Sequence, residues 1–225
     1  MNLNYLSKAF SQLPHNELSK RSAIHQAGHA VTIVLGNRQK QLPPFFFQIY
    51  YQVHPGDSEL LQALNRFNDK GIAELEDNRL TRNLPMSRQE ETTKAISSEQ
   101  IRAYEYAFEA DVISLLAGPL AEAKYVAIRD GELINPRLVN LNALHYYGGS
   151  SDLEIVKDYL ACFIVEKAER EQKISDLFLE AFSYINNGTN WLAITALAYY
   201  IVTDSMNIIE CEDIMPYLIP SLARS

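Results

Sequence analysis

Two histidines four positions apart, His25 and His29, bracket Gln26-Ala27-Gly28 and are the residues of this chain best placed to do chemistry. On a helix, positions i and i+4 share a face about one turn apart, so both imidazoles can reach one cation at the ~2.0–2.1 Å of a Zn–N bond. The spacing is that of the H-E-x-x-H motif, whose glutamate takes a proton from metal-activated water. Here that position holds Gln26, which has nearly the same shape and no basic oxygen. The pentapeptide therefore speaks for a zinc site more than for hydrolysis. Set against this is a chance pairing in an unrelated helical protein: with five histidines in 225 residues, an i, i+4 pair arises in roughly one such sequence in ten.

The pair needs a helix to present it. The apolar positions Ile24, Ala27, Ala30, Val31 and Val34 recur at helical spacing, which predicts a helix over 16–35 ended by Gly36. After Pro43-Pro44, the run Phe45 to Val53 reads as a strand stopped by His54-Pro55-Gly56-Asp57. From Ser58 to Gln100 the composition turns polar, as expected of an insertion or mobile segment. Ile101–Asp130 reads as a long helix with a break or kink at Gly118-Pro119. Helices over 152–172, 174–185, 191–202 and 213–222 follow, with a turn at Asn186 to Asn190. The expected fold is mainly α, one domain over 1–225, with a small β element after the metal-binding helix.

Composition bounds the rest. The chain is 47% apolar, 10% aromatic and 21% charged, an ordinary globular balance. A formal charge of −8, without a basic stripe or tail, argues against a nucleic-acid partner. Cys162 and Cys211 lie in apolar helical patterns without Cys-x-x-Cys spacing and are expected to be buried free thiols of a reducing compartment. No signal-peptide pattern opens the chain, and its apolar runs fall short of the ~20 residues a membrane span requires. The expectation is a cytoplasmic protein with no membrane span.

Four segments carry a family resemblance. Arg21 to Val31, with His25-Gln26-Ala27-Gly28-His29 at its centre, is similar to a metal helix reading His-Glu-Ala-Gly-His. Leu115-Leu116-Ala117-Gly118-Pro119-Leu120-Ala121-Glu122 is similar to a helix with a Gly-rich step and an Ala-Ala-Glu run, from which Pro119 and Leu120 depart. Gly148-Gly149-Ser150-Ser151-Asp152-Leu153-Glu154 resembles a Gly-(Ala)-Ser-Asn-Asp-Leu-Glu segment, and Asn190 to Ile214 resembles terminal helices. Together these resemble the zinc-peptidase domain of the FtsH family of ATP-dependent membrane proteases, a helical zincin-like fold. The first and third matches are the specific ones.

The resemblance implies that His25, His29 and Asp152 hold Zn2+, leaving the fourth position for water or substrate. Read from the residues alone, Asp152 is equally a helix N-cap after Gly-Gly-Ser-Ser. The implied reaction is attack of zinc-polarised water on a peptide bond, weak or lost with Gln26 in the base position. The chain has no Gly-x-x-x-x-Gly-Lys-Ser/Thr loop and so no ATP site. A substrate would then be an unfolded or short peptide, and a homo-oligomer is possible. The alternative is a catalytically inactive protein holding a peptide or protein partner on the same fold. Glu122 and Glu109 are either acceptors for a histidine N–H or solvated residues. Glu154 is expected to point away from the metal, and His145 is a substitute ligand, a donor, or neither.

Overall fold

The structure, a computed structural model, describes residues 3–14, 17–42, 47–51, 73–77, 98–203 and 208–222. It is mainly helical. Helix α1 (Leu3–Gln12) is followed by α2 (Glu17–Val31), the strands β1 (Phe47–Tyr51) and β2 (Ala73–Asp77), and the long α3 (Ser98–Arg129). A 3₁₀ segment (Leu141–Tyr147) leads into α4 (Ser150–Phe163). Then come α5 (Lys167–Asn186), α6 (Gly188–Thr203), β3 (Ile208–Glu210) and α7 (Cys211–Leu222).

The organising element is α3, whose residues 110–123 are all buried. Val112, Leu116, Leu120 and Ala121 are fully enclosed, and a helix apolar all round belongs inside a molecule. Helix α2 crosses it most extensively and α6 covers the other side of α2. Ala23, Ile24, Ala27, Ala30 and Val31 of α2 meet Ile194, Leu197, Ala198 and Ile201 of α6 in one core.

Several boundaries differ from the sequence expectation. Helix α2 does not stop at Gly36: a π-turn (Thr32–Gly36) carries it into a last α-turn (Asn37–Gln39). Gly36 keeps right-handed helical dihedrals, φ −65° and ψ −46°, so it ends nothing. Helix α3 runs through Pro119 unbroken. The ring removes one backbone donor, a loss of about 3 kcal/mol in an isolated helix, but here the helix is clamped on all sides by its neighbours. The 152–172 stretch is two helices, since Ile164 is extended (φ −125°, ψ 119°). The Asn186 to Asn190 turn shrinks to Asn187, whose Oδ1 accepts the Thr189 and Asn190 N–H groups and starts α6.

The small β element forms a three-stranded antiparallel sheet in the order β2-β1-β3. Ile49 of the central strand faces Leu75 on one side and Ile209 on the other. Phe47, Ile49 and Ile209 are buried while the Gln48 amide donates to the Glu210 carboxylate at 2.8 Å, the period-two pattern of a sheet with one face on the core. Of the 58–100 segment, Ala73–Asp77 is a strand and Ser98–Gln100 belong to α3; its character as an insertion lies outside the described residues. The thiols are a correction: neither is in a disulfide, but Cys162 is exposed and Cys211 only half-buried, because Cys162 lies in the exposed last turn of α4 and Cys211 opens α7 at the margin of the core.

Candidate metal centre

The site is built where α2, α3 and the first turn of α4 meet. His25 and His29 stack one turn apart on α2, ring centroids 4.7 Å apart and steeply inclined at 71°. Asp152 arrives from α4 and reaches both: His25 Nε2 lies 3.3 Å from Oδ2 and His29 Nε2 lies 3.6 Å from Oδ1. A tetrahedral cation with bonds near 2.1 Å sets its ligand atoms ~3.4 Å apart, so these separations are those of a ligand shell. The three side chains are buried, at 7%, 7% and 8% exposure. They are the one group among the described residues with metal-ligating spacing, all ligand atoms within 4.8 Å of one another.

Each imidazole is oriented by a bond from its other nitrogen. His29 Nδ1–H donates to the Ser114 carbonyl of α3 at 2.7 Å, and His25 Nδ1–H to Glu122 Oε2 at 3.1 Å. Both Nε2 atoms are thereby turned inward to Asp152, the nitrogens a metal would take once deprotonated. Glu122 is held in turn by Arg21, whose Nε donates to Oε1 at 2.8 Å and whose Nη2 donates to the Tyr146 carbonyl at 3.1 Å. A relay of Arg21, Glu122, His25 and Asp152 thus crosses from the half-exposed surface to the buried centre.

Close backbone approach makes this possible. A Cβ on Gly28 would stand 2.8 Å from the Ala117 carbonyl oxygen and 2.8 Å from Ala121 Cβ, so α2 and α3 touch backbone to backbone. A Cβ on Gly118 would overlap the His29 ring, 2.7 Å from Cδ2. Gly148, at φ +74°, turns the chain under the site, and a side chain there would press on Glu122 and His25 at 3.0 Å.

The charges explain the behaviour of His25. Burial, the largest single influence, opposes the imidazolium. The hydrogen bonds and charges of Asp152 and Glu122 together outweigh it, and the pKa is raised from 6.5 to about 9. With no cation present, a proton does the work of holding two carboxylates and two imidazoles together.

His25, His29 and Asp152 are brought together over 123 positions of sequence, and Glu122 joins them as an acceptor for a histidine N–H. The N-cap reading of Asp152 is corrected: Gly149 is the cap residue and Asp152 lies in the first helical turn, where its charge complements the helix dipole. Glu109 is not at the site, since it bonds Lys173 at 2.5 Å. Glu154 is exposed, since two positions along the helix turn it about 200° away from Asp152. His145 is exposed as well and pairs with the Ser150 hydroxyl. Gln26 is half-buried on α2 between the two histidines. Sequence reasoning missed Arg21 and the Ser114 carbonyl. Arg21 stands four residues before His25, on the same helical face, and a buried glutamate needs a cation; that was the available signal. Comparison with known proteins adds no assignment: no family model, curated protein or solved structure matches this chain.

Proposed function

We propose that this is a zinc-binding protein of FtsH-peptidase type, with His25, His29 and Asp152 as ligands and Gln26 in the position of the general base. One observation carries the reading: one ligand atom from each of His25, His29 and Asp152 lies within 4.8 Å of the others, and both imidazoles are locked by bonds on their far nitrogens. Two neutral imidazoles and one carboxylate are a donor set that suits zinc and leaves it net positive. Bound there, the ion would supply Lewis acidity toward a peptide carbonyl or water. The chain's own residues hold and orient it: Glu122 and the Ser114 carbonyl set the ring planes, and Arg21 holds Glu122 in place. A substrate of such a site is an unfolded or short peptide.

A specific observation favours a second reading, a catalytically silent protein that holds a peptide or a partner. Gln26 has no proton-accepting oxygen, and the nearest spare carboxylate is already engaged on both oxygens, Glu122 Oε1 by Arg21 and Oε2 by His25. Elemental analysis of protein purified without a histidine tag should find about one zinc per chain, lost in His25→Ala and Asp152→Ala. In the zinc-loaded form, Gln26→Glu should raise peptide hydrolysis by at least ~10²-fold, the contribution of a positioned base. Zinc without that gain, or no zinc in the parent, overturns the peptidase reading and leaves the binding one.

A further inference from the structure

With zinc bound, the metal centre carries an unbalanced charge. The double charge of the ion and the single charge of Arg21 face two carboxylates, Asp152 as ligand and Glu122 bonded to His25 and Arg21. One positive charge is left over among the ligands and the groups bonded to them. In the H-E-x-x-H pattern a glutamate at position 26 would cancel it, and Gln26 does not. The side chains of His25, His29 and Asp152 keep 9%, 9% and 11% of their surface open. That is little enough to leave the charge poorly solvated and enough for a small group to reach the ion. The loaded centre therefore draws a single negative charge from solution.

The surrounding residues narrow the choice of anion. Gln26 precedes His29 by three positions and so neighbours it on the surface of α2. Its carboxamide brings N–H donors where a glutamate brings only acceptors. A carboxylate can give one oxygen to the ion and take a charge-assisted hydrogen bond from Gln26 on the other, whereas glutamate at 26 would set like charges against each other. The surface beside the Arg21–Glu122 pair is apolar. Leu18, three residues before Arg21 on the same face of α2, is 64% exposed, and Tyr146, whose carbonyl accepts from Arg21, is 81% exposed. We propose that the loaded centre is a receptor for the C-terminal carboxylate of a peptide, with Gln26 donating to that carboxylate and Leu18 and Tyr146 meeting the apolar side chains beside it. The proposal rests on the zinc reading above and names the ligand class of the binding one.

Calorimetric titration of the zinc-loaded full chain with acetyl-alanyl-phenylalanine, with its C-terminal amide and with acetate tests this, zinc content being measured on the same samples. The peptide acid should bind with Kd below ~1 mM, and its amide at least about tenfold more weakly. Acetate weaker than the peptide acid supports a peptide terminus; acetate as tight as the peptide assigns the site to small carboxylic acids and overturns the peptide ligand. In Gln26→Glu that keeps its zinc, the peptide acid should bind about tenfold or more weakly than in the parent. In cobalt-substituted parent protein, the acid but not the amide should change the visible spectrum, which decides the matter if Gln26→Glu does not hold metal. One zinc per chain with acid and amide bound alike, or acid binding untouched by Gln26→Glu, overturns the proposal and leaves the zinc site standing. A parent that takes up no zinc overturns the zinc reading and the proposal with it.

Discussion

At the residue scale the controlling fact is that His25 is held between two carboxylates. Its pKa, raised to about 9 without metal, lies above the unfolded value of 6.5. The stabilisation this confers on the metal-free protein is fully present below pH 6.5 and is lost as pH rises through about 9. Denaturant titrations of metal-free protein between pH 6 and 9.5 should show stability falling across that window; a flat profile would contradict the carboxylate clamp. Zinc must displace the same proton, so its apparent affinity should strengthen about tenfold per pH unit and level off near pH 9. Arg21 is the other residue with a definite role. Arg21→Gln leaves the buried Glu122 without its arginine partner, and because Arg21 is itself partly exposed, about 1–3 kcal/mol of stability should be lost. Zinc affinity should drop by about 10–100-fold, as for other groups that orient a metal ligand. Competition with a chelating dye would measure it, and an unchanged affinity would reduce the contact to packing.

At the element scale the site depends on how closely two helices approach. Gly28 and Gly118 face each other's helices, and both lack a Cβ where one would collide with backbone or with an imidazole. Gly118→Ala should therefore destabilise the fold by about 1–3 kcal/mol through overpacking and displace His29, abolishing zinc binding. Gly36→Ala makes the control. Its nearest neighbour would be Thr32 Cγ2 at 3.9 Å and its dihedrals are helical, so thermal melts should show it neutral or stabilised by up to ~1 kcal/mol. If both variants melt alike, close helix approach is not what shapes the centre. The same contrast shows why a glycine's meaning was hard to read from sequence. Gly36 looks like a helix end and is not one; Gly118, next to a proline, looks like a kink and is instead a berth for an imidazole.

At the scale of the whole molecule, the candidate metal would tie α2 to the start of α4, two elements with the polar segment and all of α3 between them. A ligand that binds only the folded chain stabilises it by RT ln(1 + [L]/Kd), about 4 kcal/mol at a thousandfold excess over Kd. Adding a chelator to zinc-loaded protein should therefore lower Tm by several degrees, and readdition of zinc should restore it. An unmoved Tm would mean the three side chains close without a metal. Local periodicity was enough to predict the mainly helical fold, the strand after α2 and the shared face of His25 and His29, because helical and strand repeats are written in neighbouring positions. The placement of Asp152 beside them entered only through likeness to a known motif. Its geometry, the Arg21–Glu122–His25 relay and the Ser114 carbonyl are products of packing, as are the continuation of α2 past Gly36 and of α3 through Pro119. They join residues 85 to 127 positions apart or override local propensity, and no local repeat encodes which buried faces will meet.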